Sequence, residues 1–373
     1  MKNKMPAHYI AQEDSFLLAE QVKKHAQGNC LDMGTGSAIQ ALAAEKQASK
    51  IIAVDIDKKV IDFCKKNIKN KKIKFIQSDL FKKITGKFDT IIFNPPYLPK
   101  LKGESKQLAR KISGGKKGYE LLERFLNKSS DYLKPSGKII ILFSSLTNKH
   151  KIDEIIKNNL LESELVSAKK LFFETLYVYL IQKSKILKDL EKKVTNIQFL
   201  TKGHRGLIFT AKYKNKKIII KLQREDITAT ETVKREAKFL KLLNKHDIGP
   251  RLIFAKNNYF IAEFVKGKLI KDCKKTKNIL KNVLNQCFIL DKLKINKEEM
   301  HNPYKHIIIN NKITLIDFER AHYNLKVKNV TQFCQYILHH SAVKDKNKWI
   351  KLNKEYKINP TKQNLNKIIK ELK

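Results

Sequence analysis

The sequence predicts an α/β unit built on a largely parallel seven-strand sheet, followed by a smaller α+β unit. Three observations predict this. From Asn29 to Lys183 apolar strand-like runs alternate with amphipathic helical patterns; a charged stretch from Lys183 to Lys193 interrupts them; closely spaced strand runs then precede a long helix. Alternating strand and helix periodicities imply a parallel sheet covered by helices, whereas hairpins leading into a helix do not continue such a sheet. At 373 residues, 42% of them apolar, the chain can bury two cores. The expected boundaries are 1–185, 194–345 and a basic polar tail at 346–373.

In the first unit strands are expected at 29–34, 51–56, 73–79, 89–96, 138–145 and 176–183, with an extra one near 162–168. Helices are expected at 36–47, 58–70, 118–133 and 150–160. Pro135 and Gly137 punctuate the turn before the fifth strand. An antiparallel last pair would complete seven strands. In the second unit strands are expected at 197–203, 206–213, 216–223, 251–256 and 259–265, and helices at 229–246 and 275–294. The lysine-rich stretch from 342 shows only a weak helical pattern near its end.

Composition narrows the setting. No run of eighteen apolar residues occurs, and Met1-Lys2-Asn3-Lys4 lacks a signal-peptide pattern, so a cytosolic chain without membrane contact is expected. Cys30, Cys64, Cys273, Cys287 and Cys334 are scattered, which argues against zinc and disulfide frameworks. Lysine and arginine exceed aspartate and glutamate by 78 to 36, a net charge of +42. That charge suits RNA or ribosome contact, and it equally suits a lysine-rich composition spread along the whole chain.

Chemistry gathers at the strand ends. Leu31-Asp32-Met33-Gly34-Thr35-Gly36-Ser37 follows a strand and opens a helix, where Gly34 and Gly36 permit close backbone approach to a cofactor. Asp55 ends the next strand, where an acid can bind ribose hydroxyls; Ser78 and Asp79 end the third. Three acids at successive carboxyl ends predict a nucleotide crevice. The fourth strand ends in Asn94-Pro95-Pro96-Tyr97. An amide or exocyclic amine is a poor nucleophile and needs acceptors for both its hydrogens, which the Asn94 side-chain oxygen and Pro95 carbonyl can supply. Pro95 and Pro96 stiffen the loop, and Tyr97 can stack on a planar group.

These motifs, together with Ala11-Gln12-Glu13-Asp14-Ser15-Phe16-Leu17-Leu18, resemble the HemK-like release-factor glutamine methyltransferases, in their short archaeal and eukaryotic branch. The resemblance covers about residues 8–183 and implies a Rossmann-like methyltransferase fold using S-adenosylmethionine. It implies that Asp14 and Ser15 touch the methionine end of the cofactor, Asp32 its amino group, Asp55 its ribose and Asp79 its adenine, while Asn94 holds the substrate nitrogen. Gly114-Gly115 resembles the family's substrate-side loop and equally suits a flexible turn. The implied substrate is the glutamine of the Gly-Gly-Gln loop of a peptide chain release factor, and a small zinc-binding activator subunit is the implied partner. The tetrapeptide alone is shared with enzymes methylating adenine in DNA and guanine in RNA, so a base methyltransferase with a basic docking second half remains the alternative.

In the second unit, Gly203 and Gly206 bracket a hairpin turn, Lys221 lies on the third strand, Glu236 on the following helix and Glu263 after the fifth strand. Ile316-Asp317-Phe318-Glu319-Arg320-Ala321 follows later. The order resembles the small atypical protein kinases near the Rio group, and more closely an archaeal set of predicted serine/threonine kinases with that ending. The resemblance implies ATP held by these residues, with magnesium on Asp317. Counting back from Ile307 puts His301 and His306 where the catalytic Asp and metal-binding Asn are expected. An enzyme using His301 as base and a degenerate nucleotide-binding or partner-binding domain both fit that departure.

Overall fold

A computed structural model describes residues 11–100, 112–224, 231–340 and 342–373. The chain divides into two compact units, Met1–Val194 and Thr195–Lys373. No helix among the described residues is long and apolar enough to cross a membrane.

The first unit runs α1 (Glu13–His25), β1 (Gly28–Met33), α2 (Ile39–Ala44), β2 (Ala48–Asp55), α3 (Lys58–Asn67), β3 (Ile73–Gln77), β4 (Phe88–Phe93), the two short strands β5 (Leu98–Pro99) and β6 (Ser113–Gly115), then α4 (Glu120–Ser129), β7 (Leu133–Ser144), α5 (Lys149–Asn158), β8 (Leu161–Lys170), β9 (Thr175–Lys183) and α6 (Lys185–Glu191). The main sheet has seven strands in the order β3-β2-β1-β4-β7-β9-β8. Neighbours from β3 to β7 are parallel, and β9 runs antiparallel to both β7 and β8. Ile91-Ile92-Phe93 and Ile139 to Phe143 are almost wholly buried because helices cover both faces of central parallel strands. Strand order turns outward on either side of β1 and β4, so their carboxyl ends open the crevice in which such sheets bind ligands. Leu18, Ala19 and Val22 of α1 join the core that includes Ile92, Ile140 and Leu142, which brings Asp14 and Ser15 to that end of the sheet.

The second unit begins with β10 (Thr195–Lys202), β11 (Gly206–Tyr213), β12 (Lys216–Gln223), α7 (Thr232–Leu243), β13 (Leu252–Ala255) and β14 (Tyr259–Glu263). These five strands form one antiparallel sheet in the order β10-β11-β12-β14-β13. The first residues of the helix expected from 229 lie outside the described residues. Then follow β15 (Lys268–Leu269), α8 (Lys277–Lys292), β16 (Ile295–Asn296), β17 (Ile307–Ile309), β18 (Ile313–Leu315), β19 (His322–Tyr323), α9 (Asn329–His339), α10 (Lys346–Ile358) and α11 (Lys362–Lys370). β16 pairs with β19, which brings the chain before β17 back beside Asp317.

The expected basic polar tail at 346–373 is corrected by α10 and α11. Trp349, Tyr356, Leu365, Ile368 and Leu372 are buried in the core of the second unit, and Tyr356 Oη donates to Asp291 Oδ2 at 3.0 Å. The apolar residues fall on one helical face while the lysines point outward, so the stretch is polar by composition and amphipathic by position.

Candidate active sites

β1 ends by delivering Asp32 into the interior, 1% exposed, where it accepts hydrogen bonds from Thr35 Oγ1 at 2.5 Å and Ala41 N at 3.1 Å. Burial pushes its carboxyl up to about 7, against those two bonds. Gly34 and Gly36 carry φ of 64° and 49°, a region glycine enters without strain. Gly36 N donates to Asp55 Oδ2 at 3.1 Å, and burial raises the Asp55 carboxyl as well. Two carboxylates thus stand buried at neighbouring strand ends, flanking a glycine turn. Ser78 Oγ donates to Leu80 O and accepts from Lys83 N, both at 3.0 Å. Asp79 is engaged differently: its carboxylate meets Lys82 at 2.8 Å and Arg124 at 3.2 Å, and these cations hold it below its ordinary range.

Asn94, just past β4, donates from Nδ2 to Asp14 Oδ2 at 3.0 Å and to Ser15 Oγ at 3.4 Å. A carboxylate only accepts, so Asp14 decides which way the amide faces. Asn94 Oδ1 is buried and has no hydrogen-bond partner among the described residues. Leaving such an acceptor unsatisfied costs about 1–3 kcal/mol, which a ligand N–H would recover. Pro95 is buried beside it, and Thr147 Oγ1 donates to the Tyr97 carbonyl at 2.9 Å. Burial, reinforced by the Asp14 and Glu174 carboxylates, raises the Tyr97 phenol and keeps it neutral. Gly114 packs backbone against backbone: a Cβ there would lie 2.0 Å from Gly118 O and 2.7 Å from Pro96 O. The segment around β6 therefore buttresses the Asn94 loop. Sequence reasoning assigned Asp14 to a cofactor and missed its bond to Asn94, because 80 positions separate the two.

In the second unit Lys221 on β12 is 7% exposed, and its Nζ meets Glu236 Oε2 at 2.6 Å, Asp317 Oδ1 at 3.0 Å and Glu319 Oε2 at 3.3 Å. Burial opposes the Lys221 charge, but these three carboxylates outweigh it and hold the ammonium protonated. Phe318 N donates to Glu236 Oε1 at 3.0 Å, tying α7 to the Asp317 turn. Carboxylate oxygens of Glu236, Asp317 and Glu319 lie within 4.8 Å of one another, a grouping able to hold a metal ion. Gly203 N donates to Gly206 O at 2.8 Å across the β10–β11 turn, and any side chain at Gly206 would press on Lys221. Glu263 closes β14 and is exposed.

The loop before β17 carries both histidines. His301 is exposed, whereas Glu299 Oε2 reaches His306 Nε2 at 3.1 Å, and His306 Nδ1 stands 3.8 Å from Asp317 Oδ2. Lys297, 2% exposed, donates to Asp317 O at 3.0 Å, and burial lowers its ammonium to about 8. In sequence, the acidic pair Glu298-Glu299 follows Lys297, which comes directly after β16.

Comparison with known proteins bears on the first unit. Residues 8–174 match the family model of the methyltransferase small domain. A putative protein N5-glutamine methyltransferase of Methanocaldococcus jannaschii is 39% identical over 178 residues, covering 46% of this chain and 90% of that protein. A release factor glutamine methyltransferase of Borreliella burgdorferi is 32% identical over 171 residues, covering 37% of this chain and 60% of that longer protein. Among solved structures, the E. cuniculi Mtq2–Trm112 complex, described as methylating the eRF1 translation termination factor, aligns at 20% identity with a TM-score of 0.39, over 47% of this chain and 98% of its own.

Proposed function

The chain belongs, through its first unit, to the protein N5-glutamine methyltransferase family, and we propose that its acceptor is the glutamine amide in the Gly-Gly-Gln loop of a peptide chain release factor. The cofactor is S-adenosylmethionine, which supplies an electrophilic methyl group. The residues present fit it: Asp32 and Asp55 are buried carboxylates at adjacent strand ends, suited to an ammonium group and ribose hydroxyls, and Gly34 and Gly36 leave room between them. We assign Asp14 and Ser15 to the methionine end and Asp79 to the adenine, as the resemblance implies, with Ser78 beside Asp79.

The observation that carries the proposal is the buried, unsatisfied Asn94 Oδ1. It accepts one hydrogen of the glutamine amide, the Pro95 carbonyl accepts the other, and Tyr97 lies flat on the amide plane. Two such acceptors would orient the nitrogen and hold its hydrogens; bound S-adenosylmethionine would supply the methyl group, its sulfur–methyl bond breaking to release S-adenosylhomocysteine, and the displaced amide proton would pass through one of these oxygens to solvent. The choice of a release factor is supported by the Ala11 to Leu18 segment and by the name of the Borreliella burgdorferi relative. A small zinc-binding activator is proposed as partner, and RNA or ribosome contact through the basic surface accompanies it.

Labelled S-adenosylmethionine with purified chain and release factor tests this: label is expected on the factor and absent once its Gly-Gly-Gln glutamine is replaced. Label persisting on that variant would refute the substrate. Label on RNA or DNA instead would favour the base-methylating reading, motivated by the net charge of +42.

For the second unit we propose an atypical kinase-like nucleotide site that binds ATP with magnesium. Support comes from Lys221 joined to Glu236 and Asp317, from the strand, helix and turn that carry them, and from the three clustered acids. Gly203 and Gly206 cover the phosphates and Glu263 borders the adenine side, while Asp317 with Glu319 takes the metal. Calorimetric titration of the full chain with Mg–ATP, parent against Asp317→Ala, tests it; equal affinity for both would refute it.

A further inference from the structure

Phosphoryl transfer to a hydroxyl is assisted by a group that accepts its proton, and His301 and His306 stand where the resemblance leads one to expect a carboxylate and an amide. The loop supplies another candidate. Glu299 Oε2 lies 3.1 Å from His306 Nε2, and Arg320 Nη1 donates to Glu299 Oε1 at 2.5 Å. His306 then reaches Asp317, whose carboxylate meets Lys221. Glu299 and His306 thus stand beside the Lys221–Asp317 pair, with His306 Nδ1 buried and without a hydrogen-bond partner among the described residues, 3.8 Å from Asp317 Oδ2. The Glu299 side chain keeps 36% of its surface exposed while held by these partners. His306, hemmed in by Glu299, Asp317 and neighbouring Lys297, is committed to positioning.

We propose that Glu299 is the residue that accepts the proton of a phosphoryl-acceptor hydroxyl in the second unit, making that unit a phosphotransferase instead of a passive nucleotide binder. This rests on the nucleotide-binding reading above. In the step, the acceptor oxygen forms a bond to the γ-phosphorus of a nucleoside triphosphate. The bond from that phosphorus to the β-bridging oxygen breaks, nucleoside diphosphate leaves, and the hydroxyl proton passes to the Glu299 carboxylate. Arg320 and His306 fix the carboxylate's rotamer, as a proton acceptor must be held within hydrogen-bond reach of the group it serves. Lys297 bonds the Asp317 carbonyl and steadies the facing turn.

The test uses the full chain with Mg–[γ-³²P]ATP, following label into the chain itself, into a serine and threonine peptide mixture and into free phosphate, beside calorimetric Mg–ATP affinity. Glu299→Gln is expected to keep Mg–ATP affinity within about threefold, showing a folded site, while transfer falls by about 10²-fold or more. Glu299→Asp should restore part of the rate, and His301→Ala should leave it unchanged. Transfer by Glu299→Gln at the parent rate, or loss of transfer in His301→Ala, would overturn the assignment. A parent chain that binds Mg–ATP yet labels none of the three acceptors also overturns it, leaving nucleotide binding standing. A parent that binds no Mg–ATP removes the underlying reading as well.

Discussion

Asn94 turns its amide oxygen away from Asp14 only because Asp14 takes an amide hydrogen on the other side. Substituting Asn94→Ala should slow methyl transfer by about 10²–10³-fold with little change in S-adenosylmethionine affinity, since the lost acceptor acts on the substrate nitrogen. Asp14→Ala frees the amide to rotate, and misplacement of that kind costs roughly tenfold to a hundredfold. Steady-state kinetics separate the roles: a fall in kcat with unchanged cofactor KM marks Asp14 as positioning Asn94, while a pure KM effect marks it as a cofactor contact. Asp32 gives a pH signature. Its carboxyl titrates near 7 in the folded chain, well above its unfolded value near 4, so the folded state holds a proton that the unfolded chain has released. Stability without cofactor should therefore fall as pH rises from about 4 to 7. Binding runs the other way, because the cationic methionine end of the cofactor prefers the ionised carboxylate. Affinity measured by calorimetry should tighten between pH 6 and 8, and Asp32→Asn should flatten that slope.

At the scale of elements, what was legible followed burial. The strands of the first unit stand out as continuous apolar runs such as Ile139 to Phe143, because a covered parallel strand hides both faces. Glycines and prolines marked the turns. Helix α10 stayed hidden, and α11 showed only as a weak pattern, because apolar residues such as Trp349, Leu352 and Tyr356 are separated by lysines and asparagines whose average polarity masks a 3.6-residue period. The Glu299 contacts were missed for another reason: counting back from β17 gives no loop path, and it is the path that brings Glu299 to His306 and Arg320. The packed end of the chain yields a stability prediction. Trp349→Ala removes a side chain that is 1% exposed and whose Nε1 donates to Cys334 O at 3.2 Å, so it should cost about 3–5 kcal/mol. A denaturant titration of full-length protein should show the loss; an unchanged midpoint would mean that α10 is peripheral. Gly114→Ala is the corresponding change in the first unit, where the added Cβ must displace the Gly118 or Pro96 carbonyl and with it the Asn94 loop.

Each of the two units has its own buried cluster, one joining Leu18, Ile92 and Leu142, the other joining Val233, Phe318 and Trp349. Each also centres on its own buried charges, Asp32 and Asp55 in the first and Lys221 with Glu236 in the second. Separate cores predict separable activities, so substitutions should act within their own unit. Asn94→Ala should slow methyl transfer by the same 10²–10³-fold or so and leave Mg–ATP affinity unchanged, while Asp317→Ala should weaken Mg–ATP binding and leave methyl transfer to a release factor unchanged. The net charge of +42 gives the chain one property that belongs to neither site: attraction to polyanions, which released counterions make steeply salt dependent. If translation components are the shared destination, added RNA should alter methyl transfer at 50 mM salt and lose its effect by 200 mM, in parent and Asp317→Ala alike. A salt effect that disappears with Asp317→Ala would instead tie the methyl-transfer unit to nucleotide occupancy of its neighbour, and the separability argued from the two cores would fall.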